Sequence, residues 1–235
     1  MNNFIESNLN NFKTNLTNIA TKYKRNIDEI TIIAVSKYQD CNKINSAYSS
    51  GQINFGENYI QEWQEKVKFF QNSLPNLKWH LIGNLQKNKA KYLTDKVFCL
   101  QSLDSIDLAK EIEKKGKFEQ KLKVLIQLQI DKNDQNKSGI TIEQAKLLRD
   151  YIWKSSKISF AGFMGIGPLD IEINKRKELY YSFIDNAYNL WKETNSINTQ
   201  PILSLGMSSD YETAIECGSN MLRIGTAIFG ERNKN

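Results

Sequence analysis

Eight short apolar runs recur along the chain, most of them followed by a stretch of helical period, and this alternation restricts the possible folds more than any other feature. The runs are Ile30 to Val35, Gln52 to Phe55, Trp79 to Ile82, Val97 to Leu100, Lys123 to Ile130, Ile158 to Met164, Ile202 to Leu205 and Met221 to Ile224. Between them lie Tyr59 to Phe70, Ile106 to Lys115, Ile142 to Lys154 and Ile173 to Trp191, where apolar residues return at helical spacing. Strands separated by helices pair in parallel, because a right-handed crossover needs about a dozen residues or more. Eight repeats point to closure, hence an α/β fold of the (β/α)8 TIM-barrel type. An open doubly wound sheet is the alternative. The Gly-rich turn and acidic partner of a dinucleotide site are missing after the first run, however, where the chain reads Val35-Ser36-Lys37-Tyr38.

An extra helix is expected ahead of the barrel, over about residues 2–24, from Phe4, Ile5, Leu9, Phe12, Leu16 and Ile19 at helical spacing. Barrels of this type reach roughly 250 residues as one unit, so residues 1–235 are expected to form a single domain. Only three prolines interrupt the chain, and the eighth run lies close to Asn235, which leaves no room for a second domain. The tail Asn233-Lys234-Asn235 carries no motif.

Lysine and arginine exceed aspartate and glutamate by 32 to 26, but the excess is scattered. The Lys87-Asn88-Lys89-Ala90-Lys91 run has no aromatic platform to stack bases, so it reads as a solvated helix face and nucleic-acid binding is not expected. Cys41, Cys99 and Cys217 are odd in number and far apart, which supports neither a disulfide framework nor a zinc site and fits a reducing cytoplasm. The polar start Met1 to Asn10 lacks the basic and apolar regions of an export signal, and no window of about 18 apolar residues occurs. A cytoplasmic location, away from membranes, is the expectation.

In such barrels chemistry gathers where strands meet the loops that follow them. Lys37 ends the first run, where apolar walls would leave its amine free to attack an aldehyde; a solvated loop lysine is the plainer reading. The second run leads to Asn54-Phe55-Gly56-Glu57-Asn58, where Asn54 could bind a ring oxygen and Asn58 could cap the next helix. His80, the only histidine, follows Trp79 and cannot build a multi-histidine metal site, so no metal is expected. The last two runs end in Ser204-Leu205-Gly206-Met207-Ser208 and Arg223-Ile224-Gly225-Thr226. Their glycines, hydroxyls and exposed amides suit a phosphate dianion, although each glycine could serve turn geometry alone.

The chain resembles, over nearly its whole length, the pyridoxal phosphate homeostasis protein family (YggS/PROSC-like), whose barrel is that of the alanine racemase N-terminal domain. The matching stretches are Ala34 to Lys37, Phe55-Gly56-Glu57-Asn58-Tyr59-Ile60-Gln61-Glu62, Trp79 to Gly83 with Leu85-Gln86 and Asn88-Lys89, Lys137-Ser138-Gly139-Ile140, and Ser204 to Ser208 running on to Arg223 through Gly230. The resemblance implies that Lys37 holds pyridoxal 5′-phosphate (PLP) as a Schiff base. It assigns the phosphate to Ser204, the amides around Met207 and Ser208, and Gly225 with Thr226. Arg223 matches the residue facing the pyridine nitrogen; an arginine there only donates, so the ring stays unprotonated and a weak electron sink. Asn54 and His80 match positions lining the ring. Tyr38-Gln39-Asp40 and Gly165-Ile166-Gly167-Pro168 depart from the family pattern without removing a ligand.

The family implies a carrier or buffer that keeps free PLP low and passes it transiently to apo-enzymes. The rival is a PLP-dependent amino-acid racemase, which needs a second base. In racemases of this fold a separate β-domain of the partner subunit supplies that base, and the chain, stopping at Asn235, is expected to lack such a domain. A monomeric protein without catalytic turnover is therefore the expectation.

Overall fold

All eight runs become strands: β1 (Thr31–Val35), β2 (Asn54–Glu57), β3 (Lys78–Leu81), β4 (Val97–Leu103), β5 (Leu122–Gln127), β6 (Ile158–Met164), β7 (Ile202–Met207) and β8 (Met221–Ile224). They pair in chain order, all parallel, and β8 closes on β1 with Ile33 opposite Arg223. The (β/α)8 barrel expected from the alternation is the one observed. The computed structural model describes residues 2–71, 73–131, 139–168, 170–194 and 199–231. Lys137 and Ser138 of the fourth matching stretch, and the tail Asn233 to Asn235, lie outside them.

Eight α-helices accompany the strands among the described residues: α1 (Asn2–Lys22), α2 (Cys41–Ser49), α3 (Ile60–Phe70), α4 (Ile106–Lys115), α5 (Ile142–Trp153), α6 (Ile173–Lys192), α7 (Tyr211–Cys217) and α8 (Thr226–Phe229). Their starts follow local chemistry. Asp40 accepts from Lys43 N, Ser105 from Leu108 N, and Thr141 forms a capping box with Gln144. Helix α1 buries Ile5, Leu9, Phe12 and Leu16 along one stripe, where each side chain contributes about 1.5–3 kcal/mol. That stripe packs against α2, α7 and α8, so the extra helix covers the seam where the barrel closes.

Four local expectations change, the first being that β5 ends at Gln127 and not at Ile130, with Leu128 making only an isolated bridge to Ile140. Strand β2 starts at Asn54 and not at Gln52, whose side-chain amide donates instead to Ile32 O and Asn54 O at 2.8 and 2.6 Å. Because β2 then runs on to Glu57, Asn58 falls in the link and Tyr59 takes the cap position of α3, without a side-chain bond. The Lys87 run forms a 3-10 helix, Lys87–Tyr92, in which Lys87 pairs with Asp107 at 2.7 Å and Lys89 and Lys91 lie over the Tyr92 ring.

Residues alternate across each strand, so one set faces the helices and the other the barrel axis. Ala34, Phe55, Leu100, Val124, Phe163, Leu203 and Leu222 join the large core beneath the helices. Cys99, Leu125 and Met164 form a separate small cluster, and their parity places it inside the barrel. Gly162 on β6 has φ +143, and a Cβ there would stand 2.1 Å from Ile202 O. Only glycine lets β7 come that close.

Candidate functional site

Lys37 lies in the turn that follows β1, at the C-terminal mouth of the barrel, and is half-buried. Gly225, leaving β8, lies beside the end of β1: a Cβ there would make only ordinary contact with Val35, at 3.7 Å from its Cβ. The amides of Gly225 and Ala227 both point at the Ser208 hydroxyl oxygen, at 3.3 and 3.5 Å, tying the turn after β7 to that after β8. Thr226 between them is exposed. One neutral oxygen accepting from two amides marks a place where an anion's oxygen would also be accepted.

Below the mouth, four of the expected residues join a single directed chain of hydrogen bonds through a fifth that sequence reasoning missed. Arg223 donates through Nη1 to Ser204 Oγ at 2.8 Å, and Ser204 Oγ donates to Gln101 Oε1 at 2.7 Å. Gln101 Nε2 lies 3.0 Å from His80 Nδ1, and His80 Nε2 lies 3.1 Å from Asn54 Oδ1. An amide nitrogen only donates, so Nδ1 accepts and the imidazole proton resides on Nε2, donated to Asn54. Burial pushes the His80 pKa down to about 3, with Lys123 and Lys78 adding to the effect. The ring is neutral at physiological pH. Gln101 lies past the apolar run Val97 to Leu100, but its parity with Cys99, continued along β4, was the signal that could have marked it as inward-facing.

Arg223 is almost fully buried. Besides Ser204 Oγ its guanidinium binds Ser204 O and Gly165 O, each at 2.8 Å. Those bonds use three of its five N–H groups. Burial pushes its pKa down to about 10, against the pull of Asp210 and Tyr180, which leaves it charged near neutrality.

The structure thus separates residues that the sequence treats together. The Ser204 hydroxyl is committed to Gln101 and Arg223 inside the barrel, whereas Ser208, Gly225 and Thr226 sit at the rim. The Met207 amide is given to Asp210 Oδ1 at 2.5 Å, and the other oxygen of Asp210 accepts from Tyr180 on α6. Asp210 and Tyr180 are further residues that sequence reasoning did not single out. Among the described residues no group of three or more His, Cys, Asp or Glu could hold a metal, and no helix is long and apolar enough to cross a membrane.

A closed parallel barrel with a lysine leaving its first strand and an amide-rich turn pair at its last two defines a class: the family described as "Alanine racemase, N-terminal domain" matches residues 7–233. A curated relative from Haemophilus influenzae, named pyridoxal phosphate homeostasis protein, is 35% identical over 230 residues, covering 97% of this chain and 96% of its own. The human protein of the same name is 34% identical over 212 residues, covering 86% and 76%. The structure of PipY from Synechococcus elongatus with PLP bound aligns at TM-score 0.79 and 27% identity, over 96% of this chain and all of that one. Alanine racemase from Corynebacterium glutamicum shares the fold, at TM-score 0.69 and 14% identity. The chain belongs to the pyridoxal phosphate homeostasis protein family.

Proposed function

We propose that this protein binds PLP on Lys37 and serves PLP homeostasis, holding and releasing the cofactor without turning over a substrate. The observation that carries this reading is the match over nearly the full length of both chains to relatives named for that role, one family structure having PLP bound. PLP, when bound, supplies an aldehyde for a primary amine and a phosphate dianion that needs converging donors. The residues present fit both needs. Lys37 would supply the primary amine for the aldehyde carbon, the aldehyde oxygen leaving as water. Ser208, Gly225, Thr226 and the neighbouring amides would receive the phosphate; Ser204 and the Met207 amide, expected there too, are engaged by Gln101 with Arg223 and by Asp210, and Asn54 and His80 would line the ring. Arg223 can only donate, so it leaves the ring nitrogen an acceptor and the ring a poor electron sink.

A racemase shares this barrel, but its likeness is one of fold. The carrier would act as a cytoplasmic monomer, meeting apo-enzymes transiently. The test is an absorbance spectrum with PLP, before and after borohydride, beside that of Lys37→Ala. A band at about 420 nm that reduction fixes covalently on the wild type alone is expected. Absence of that fixed adduct on the wild type would return Lys37 to the role of a loop lysine.

A further inference from the structure

Glu57 and Glu62 belong to the second matching stretch but take no part in the site described above, yet both converge on the turn that carries Lys37. Lys66 on α3 is 4% exposed, and its Nζ lies 2.8 Å from Glu57 Oε1, 2.7 Å from Glu62 Oε1 and 2.7 Å from Ser36 O. Ser36, fully buried, donates its hydroxyl to Glu57 Oε1 at 2.6 Å. Glu62 Oε1 also accepts the Tyr38 amide at 2.5 Å. The carbonyl of Ser36 and the amide of Tyr38 are the peptide groups on either side of Lys37. Each is held by a charged group, one by the ammonium and one by a carboxylate that the same ammonium binds.

A structural ion pair between β2 and α3 would need only Glu57 and Lys66, and burying such a pair is seldom better than apolar packing. Here the charges are spent on the backbone around one residue. Tyr38 has φ +62, a conformation unfavourable for a residue with a Cβ, and the bond to Glu62 holds it there. Glu57 is fully buried, with no protein partner on Oε2 among the described residues, and burial pushes its pKa up to about 7 despite Lys66.

We infer that Glu57, Glu62 and Lys66 are positioning residues for Lys37, a clamp that fixes both flanking peptides and so sets where its amine meets the PLP aldehyde. This rests on the proposed attachment of PLP to Lys37. A lysine amine stands at the end of a long flexible arm, so a small shift of its backbone alters the approach, and about 1 Å of misplacement can slow a reaction about a hundredfold.

The test compares two probes on the full chain. PLP reports capture, read as the growth of the band at about 420 nm and the mass fixed by borohydride. Pyridoxine 5′-phosphate has the same ring and phosphate with an alcohol in place of the aldehyde, and reports the pocket alone. Lys66→Met and Glu62→Ala are expected to capture PLP at least about tenfold more slowly, with unchanged affinity for pyridoxine 5′-phosphate. Glu62→Gln, which keeps an acceptor oxygen for Tyr38, should recover part of the rate lost in Glu62→Ala. Glu62 is partly exposed, so its variants keep the test open if Lys66→Met does not fold. Capture at the wild-type rate in Glu62→Ala would overturn the clamp. So would a parallel loss of pyridoxine 5′-phosphate affinity, which marks general damage. Failure of the wild type itself to gain a borohydride-fixed adduct is a different result, and removes the parent reading together with this one.

Discussion

Acid should destabilise this protein through one imidazole, and the size of the effect follows from the structure. His80 is fully buried, accepts from Gln101 through Nδ1 and donates to Asn54 through Nε2, an arrangement that requires the neutral ring. Its pKa falls from an ordinary 6.5 to about 3, chiefly by burial. Between those values the unfolded chain takes up a proton that the folded chain refuses. The stabilisation is therefore complete above 6.5 and is lost progressively as pH falls toward 3. Each pH unit is worth about 1.36 kcal/mol once the unfolded ring is largely protonated, so acidifying from 6.5 to about 4.5 removes roughly 2 kcal/mol. Glu57 acts in the opposite sense, since a carboxyl pushed up to about 7 gains stability as pH falls through that value. A comparison with His80→Gln cancels that contribution, because glutamine offers one acceptor and one donor but does not titrate. In urea unfolding followed by tryptophan fluorescence, the wild type should lose roughly 2 kcal/mol more than His80→Gln between about pH 6.5 and pH 4.5. Equal losses would refute the assignment of a buried neutral ring.

Two further outcomes are expected. Gly162→Ala forces a Cβ against Ile202 O at a φ of +143, so it should lower stability by about 3 kcal/mol or more; an unchanged melting temperature would contradict the close approach of β7 to β6. Burial pushes the Cys99 thiol up to about 12 and the Cys217 thiol up to about 11, whereas Cys41 is half-exposed. A thiol reagent near neutral pH should then label one cysteine in the native protein and three in urea, and rapid native labelling of a second would count against that burial.

Much of the architecture was legible from periodicity. The limits of β6, β8 and α4 coincide with the apolar runs and helical stretches, because each of these elements has an apolar face that must be buried and a local stop signal. The misplaced boundaries have a common cause. Gln52 looked like the opening of a strand, and Asn58 looked like a helix cap, because the chain does not announce that β2 must reach Glu57 to match β3 as far as Leu81. That length is set by the neighbouring strand. Gln101 was overlooked for a related reason, lying beyond an apolar run that continues as β4 only because β5 pairs with it through Leu103.

By itself the sequence determined the barrel, through alternation of apolar runs and helices, and the family, through motifs kept in order along the chain. It also placed Lys37 directly after the first apolar run, where the strand meets its loop. Tertiary structure alone decided what these side chains do to one another. Arg223 meets Ser204, Ser204 meets Gln101 across 103 positions of chain, and Gln101 meets His80 only because the barrel closes and turns one face of each strand inward. Hydrogen bonds act over about 3 Å, and no local pattern in the sequence records which distant residues are brought that close.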